Sequence, residues 1–249
     1  GVDLVTEQAL GRDFTLKSLQ AEKYEAVFLA VGAPQGIGLD IPGNRAKGIT
    51  EAMEFLRRYN LRGSVPIGQQ VVVIGGGNAA IDAARTALRL GSETVTVLYR
   101  RTREEMPAYA EEIEEALQEG VTLKTLASPE EILTDERGAV RAVKCRTMTL
   151  GEFDRTGRRR PEASPEEYFE LPCDQVILAI GQRLDPKILD PEIGLKLTSR
   201  GWIEADPVTG QTSVPWLYAG GDAATGPWSV VSAIADGERV AVAIDETLT

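Results

Sequence analysis

The chain has 249 residues, 43% of them hydrophobic and 26% charged, enough for one large or two modest cores in a soluble globular protein. Its formal net charge of −11 disfavours nonspecific binding to nucleic acid or to an anionic membrane, since either polyanion would be repelled. With no histidine, Ser-His-Asp, Cys-His and His-ligated metal chemistry fall away, and Cys145 and Cys173 form no C-x-x-C pair for a redox disulfide, an iron–sulfur cluster or a zinc site.

Both cysteines lie in apolar, strand-like surroundings and read as buried structural thiols. There is no apolar run of membrane-spanning length and no signal peptide, so a cytoplasmic location is expected. The chain starts at Gly1, and GVDLV reads as the middle of a helix-to-strand junction; the expectation is a fragment or an excised domain.

In chain order, Val2 to Thr6 is a short strand candidate, and residues 11–23 are turn-like or briefly helical. Ala26 to Val31 is a continuous apolar run closed by Gly-Ala-Pro, as in a strand buried on both faces of a parallel sheet. A Gly/Pro-rich passage, GAPQGIGLDIPGNRAKG, reads as a crossing between domains, and Thr50 to Tyr59 as a helix. Met106 to Glu119 is expected to form a helix with Met106, Tyr109, Ile113, Ala116 and Leu117 inward, Pro107 in its first turn and Gly120 at its stop. Its glutamates are a solvated face rather than a catalytic cluster. Residues 121–172 read as a small meander of strands containing an exposed, mobile hairpin loop, GEFDRTGRRRPEASPEE. Arg158, Arg159 and Arg160 in that loop are flanked by acids and read as solvated. Val176 to Ile180 repeats the strand-then-glycine pattern and ends at Gly181. Leu217 to Asp222 is a strand running into Gly-Gly-Asp, followed by a long helix carrying Ile234, Val240, Ala241 and Ile244. Strands alternating with helices predict an α/β architecture with parallel sheets.

The most informative stretch is VVVIGGGNAAIDAARTALRLGSETVTVLYRR, from Val71 to Arg101. Gly75, Gly76, Gly77, Asn78, Ala79 and Ala80 fit G-x-G-x-x-G/A directly after a strand and at the opening of an amphipathic helix. In that pattern Gly75 allows the tight turn, Gly77 the approach of a pyrophosphate, and Ala80 close helix–strand packing. The second strand ends at Arg100, where an NAD site usually carries Asp or Glu for the ribose 2′-hydroxyl. Arg100 and Arg101 instead offer forks for a 2′-phosphate, with Arg103 near enough to help, so NADPH is preferred over NADH. An NADH-linked enzyme stays open as a further reading. LYAGGDAATGPWSVVSAIADGERVA can place the Asp222 carboxylate beside a ligand hydroxyl and a helix N-terminus beside developing negative charge.

Taken together, VFLAVGAP, LDIPGNRAKGITEAMEFL, VVVIGGGNAAIDAARTALRLG, VLYRRTREEMPA, VILAIGQ and LYAGGDAATGPWSVVSAIADGERVA resemble the NADPH-dependent glutamate synthase small-chain (beta-subunit) family of flavoprotein oxidoreductases. The resemblance covers essentially the whole chain. The same module occurs in dihydropyrimidine dehydrogenase and in electron-bifurcating transhydrogenases. It implies a Rossmann-like NADPH-binding domain, residues 46–185, inserted in an FAD-binding domain represented by residues 1–45 and 186–249. By motif, Gly75, Gly77, Asn78 and Ala80 would hold the NADPH pyrophosphate and Arg100 and Arg101 its 2′-phosphate. Asp222, in the Gly-Gly-Asp motif, would bond the flavin ribityl chain, with Gly221 beside it among the cofactor-binding residues. Ser229, Val230 and Val231 would open the helix whose amides face the flavin, Ala30 and Gly32 would line the chain crossing near the flavin, and Gly181 is a further cofactor-binding candidate. Two family features are missing: an N-terminal cysteine-rich iron–sulfur region and a first FAD-binding glycine motif. The FAD site is therefore expected to be incomplete, and iron–sulfur clusters are expected only in a missing region or a partner.

The resemblance implies hydride transfer from NADPH to FAD. Electrons would pass through iron–sulfur clusters to a large catalytic subunit, such as a glutamate synthase large chain, or to another acceptor. Such chemistry is carried by the cofactors and needs little side-chain acid–base work. The alternatives are an isolated, non-catalytic NAD(P)H-binding fragment, or the same module in a bifurcating or dihydropyrimidine dehydrogenase-type enzyme.

Overall fold

The computed structural model describes residues 1–154 and 157–249. The chain forms two compact units, Gly36–Gly181 and the combination of Gly1–Gln35 with Gln182–Thr249.

The central feature of the Gly36–Gly181 unit is a five-stranded parallel sheet. Its strands run in the order Ile49–Glu51, Gln175–Leu178, Gln70–Ile74, Thr94–Leu98, Thr122–Lys124. The run Val71–Ile74 is buried throughout because the sheet is covered on both faces. Val71, Val73, Val95, Val97 and Ile177 pack against the helices Ala52–Arg62, Asn78–Arg89 and Ala110–Gln118. Val72, Ile74, Leu98, Val176 and Leu178 point the other way. They meet a three-stranded antiparallel sheet, Ala127–Thr134, Val140–Phe153 and Arg159–Pro172. The period of two in a strand thus sorts one apolar run into two cores.

Several elements differ from the sequence reading. The unit begins at Gly36 rather than at 46, because Leu39, Ile41 and Ala46 pack into the core beneath the antiparallel sheet. A short strand, Ile49–Glu51, precedes the second helix, since it pairs with Val176–Leu178. The expected 106–119 helix starts only at Ala110. Residues 106–109 stay outside the helix, with Ala108 N–H donating to Gly76 O at 3.2 Å and Tyr109 N–H donating to Asn78 Oδ1 at 3.0 Å. Pro107 therefore stands before the helix, and Tyr109 is exposed instead of inward. The expected loop at 151–167 is largely strand, with Phe153 paired to Arg159 and Met148 to Ala163. Arg155 and Thr156 of that stretch lie outside the described residues.

In the other unit Val27–Leu29 pairs in parallel with Leu217–Ala219, over a core of Leu16, Leu29, Leu184, Ile203, Leu217 and Ala223. A helix, Val230–Leu248, closes the chain, and Tyr218 Oη reaches Thr247 Oγ1 on it at 3.2 Å. Here too the reading is corrected. Val2 to Thr6 is not a strand and leaves Val2, Leu4 and Val5 exposed, and among the described residues no strand pairs with it. Val27 and Phe28 are only half-buried, because Val27–Leu29 has a neighbour on one side alone. On the last helix Val240 is buried, whereas Ile234 and Val242 are exposed.

Candidate functional site

The sheet order of the Gly36–Gly181 unit creates a crevice at its carboxyl edge. From Gln70–Ile74 the chain moves to one side through Asn78–Arg89 into Thr94–Leu98, while the strand on its other side, Gln175–Leu178, belongs to a later part of the chain. Such a switch point is where open α/β sheets bind ligands. A cleft of about 470 Å³ lies there, lined by Gly75–Gly77, Tyr99, Arg100, Arg101, Arg158 and Ala179–Gly181 among others.

The glycine turn is built for close approach. Gly75 has φ +148°, and a Cβ there would lie 2.2 Å from the Ala179 carbonyl oxygen. A Cβ at Gly76 would lie 2.5 Å from the Tyr99 ring. At Gly77 the nearest atom would be Pro107 Cγ at 3.9 Å, so the space beside this residue is open to the cleft. Gly77 is also the N-cap of Asn78–Arg89, with no side-chain capping bond. The first N–H groups of that helix have no intrahelical acceptor, and the helix dipole adds partial positive charge there. Ala80, Ala83, Ala84 and Ala87 are completely buried, which lets the helix lie close on the sheet.

The sequence-predicted residues do not all converge. Gly75, Gly76, Gly77, Arg100, Arg101 and Gly181 line the cleft. Asn78, Ala79 and Ala80 do not: the Asn78 carboxamide holds Tyr109 N–H, and Ala80 is packed inside. Arg103 is paired with Glu114 Oε2 at 2.8 Å and stands outside the lining. Arg101 is only 5% exposed. Its Nε donates to Arg159 O at 2.7 Å and its Nη2 to Asp154 Oδ2 at 3.0 Å. Arg158, read from sequence as solvated, lines the cleft instead. Its neighbouring acids in the sequence had argued for solvation, and only the pairing of the long hairpin brings it to the sheet edge. Among the described residues the lining carries three arginines and no carboxylate, in a protein of net charge −11.

A second cleft, of about 450 Å³, belongs to the other unit and is lined by Phe28, Ala30, Gly32, Gly220–Asp222, Trp228–Val230, Ala233 and Ile234. Ala30, Gly32, Gly221, Asp222, Ser229 and Val230 thus come together in one lining, whereas Val231 is exposed and is not part of it. Asp222 Oδ1 accepts from Trp228 N–H at 3.3 Å. Ser229 and Ser232 form a capping box at the start of the long helix, leaving the N–H groups of Val230 and Val231 as the orphan donors of the first turn. Sequence reasoning missed Asp236, whose carboxylate accepts from Gly221 N–H at 2.9 Å and pairs with Arg239 at 2.6 Å. Burial pushes this carboxyl up, but Arg239 and the Gly221 N–H together outweigh it and hold it below the usual range. Its i+3 spacing to Arg239 was the available signal.

Cys145 and Cys173 are both buried and unbridged. Burial pushes each thiol up to about 12. No group of three or more His, Cys, Asp and Glu side chains placed to hold a metal ion occurs among the described residues. No helix among them is long and apolar enough to cross a membrane.

Comparison with known proteins agrees with this architecture. The chain is 43% identical over its full length to the NADP(+)-dependent formate dehydrogenase subunit beta of Moorella thermoacetica, of which it spans 35%. It is 36% identical, over 98% of its length, to a putative glutamate synthase [NADPH] small chain of Cereibacter sphaeroides, of which it spans 61%. The formate dehydrogenase subunit is the more similar of the two, so the likeness to glutamate synthase small chains is one of several within a broader family. Mycobacterium tuberculosis FprA in complex with NADPH has the same fold, with a TM-score of 0.77 at 22% identity, covering 96% of this chain and 66% of that one. Residues 3–237 match the model of the pyridine nucleotide-disulphide oxidoreductases, and the chain belongs to that family.

Proposed function

We propose that the chain is the NADPH-binding module of a flavin-dependent oxidoreductase that delivers electrons to a partner subunit. The observation that carries this reading is the open space beside Gly77, at a helix N-terminus, in a cleft whose only charged lining residues among those described are arginines. Gly77 and the first N–H groups of Asn78–Arg89 would hold the pyrophosphate, and Arg100 would hold the 2′-phosphate. Asn78 acts indirectly, by fixing residues 107–109 over the turn. Arg101 holds the hairpin to the cleft more than it holds ligand.

The second cleft suits the flavin end of FAD. Asp222 would accept from a ligand hydroxyl, and the N-terminus of Val230–Leu248 would stabilise negative charge on the flavin. FAD, when bound, supplies the hydride acceptor and splits the electron pair for onward transfer. The glycine turn of this unit follows Leu217–Ala219 and opens only the four-residue helix Asp222–Thr225, not a long helix like Asn78–Arg89, so FAD is held weakly by this chain alone. The names of the relatives, a subunit beta and a small chain, support a partner subunit as acceptor. A glutamate synthase large chain and another acceptor subunit are both compatible with the site.

The test is isothermal titration with NADPH. Arg100→Gln removes a charge-assisted contact, and NADPH affinity should fall about tenfold or more. Unchanged affinity would overturn the 2′-phosphate assignment.

A further inference from the structure

We infer that residues 106–109 form a second wall of the pyrophosphate slot, opposite Gly77, that Pro107 is the residue of this wall beside the ligand, and that Asn78 is the positioning residue that sets it. The inference rests on reading the Gly36–Gly181 cleft as the NADPH site. It goes further by assigning a contact that serves the pyrophosphate, and therefore serves NADPH and NADH alike. Burial in Met106-Pro107-Ala108-Tyr109 alternates residue by residue. Met106 and Ala108 are buried and pack into the core beneath the helices, whereas Pro107 and Tyr109 are exposed. The two buried side chains anchor the segment and leave the Pro107 ring to line the cleft. A Cβ built at Gly77 would find Pro107 Cγ at 3.9 Å and no nearer atom, so the open space beside Gly77 is bounded by that ring.

The wall is tied to the glycine turn on both sides of Gly77. Ala108 N–H donates to Gly76 O at 3.2 Å, and Tyr109 N–H donates to Asn78 Oδ1 at 3.0 Å. A third tie lies just before the wall, where the Glu105 carbonyl accepts from Tyr99 Oη at 2.8 Å, and the Tyr99 ring itself packs under Gly76. The bonds from Gly76 and Asn78 bracket Gly77, so together they fix the spacing between Gly77 and Pro107. Of the two, only the Asn78 bond comes from a side chain, and an alanine at this first position of the helix cannot make it. Proline suits the wall, because its ring fixes φ and it brings no N–H that would need a partner.

Dissociation constants for NADPH, NADH and adenosine 2′-phosphate should be measured on the whole chain for wild type, Asn78→Ala, Pro107→Gly and Arg100→Gln. Adenosine 2′-phosphate has no pyrophosphate, so it reads the Arg100 end of the cleft alone. Asn78→Ala should weaken NADPH and NADH by the same factor, about three- to tenfold, and leave adenosine 2′-phosphate unchanged. Pro107→Gly loosens the same wall with Asn78 in place and should do likewise, and the double variant should lose little more than either single one. Arg100→Gln should show the complementary pattern, with NADPH and adenosine 2′-phosphate weakened and NADH unchanged. If Asn78→Ala and Pro107→Gly bind both dinucleotides like wild type, or weaken adenosine 2′-phosphate equally, the wall is overturned while the cleft assignment stands. If wild type binds neither dinucleotide, the cleft assignment falls and the wall falls with it.

Discussion

A methyl group added at Gly75 would come within 2.2 Å of the Ala179 carbonyl oxygen, at a φ that L side chains avoid, whereas one added at Gly77 would meet nothing closer than 3.9 Å. The two glycines of one motif therefore fail differently. Gly75→Ala should lower the melting temperature by at least about 5 °C, from strain and a backbone clash at the core. Gly77→Val, at an extended position that suits a β-branched residue, should melt like wild type and lose about tenfold or more in NADPH affinity. Thermal melts and titrations of both variants check this. The motif was legible in the sequence because its spacing follows a strand and opens a helix. The contact of Gly76 with Tyr99 was not, because it depends on the following strand lying alongside. The two cysteines were read correctly as buried. With each thiol pushed up to about 12, thiolate is scarce at pH 8, and Cys145 and Cys173 should resist a disulfide reagent until denaturant is added. Fast labelling of the native chain would show that one of them is exposed.

At the scale of elements, the long apolar runs were the readable part. Val71–Ile74 and Val176–Leu178 are buried throughout, and the adjacent Val72 and Val73 serve opposite cores. Ile177 sits with Val71 and Val73 under the helices, so Ile177→Ala should cost about 2–5 kcal/mol in chemical denaturation. A loss below about 1 kcal/mol would contradict the packing assigned to that layer. What was not readable is what depends on a partner distant in sequence. The polar, charged stretch 151–167 looked like a loop by composition, yet the ladder from Ala142–Pro172 to Phe153–Arg159 draws most of it into strand. Val2 to Thr6 looked like a strand, and among the described residues no strand pairs with it. The short strand Ile49–Glu51 exists because Val176–Leu178 runs beside it. In each case strand pairing, which is tertiary, overrode local pattern.

For the whole molecule, the α/β FAD/NAD(P)-binding fold was legible because its cofactor motifs recur in order along the chain, and the family match over residues 3–237 agrees. The acceptor was not, since the chain spans only 35% and 61% of the two relatives, whose names differ. The two clefts make separable demands. The purified chain should show little visible flavin absorbance, yet bind NADPH through the Gly36–Gly181 unit alone. A stoichiometric yellow chain that oxidises NADPH with an artificial acceptor would show that the flavin cleft is sufficient by itself. The measurement that bears most directly on the central claim is a paired calorimetric titration of the wild-type chain with NADPH and NADH at moderate salt. The account predicts one NADPH per chain, bound about tenfold or more tighter than NADH; equal affinities, or tighter NADH, would contradict it.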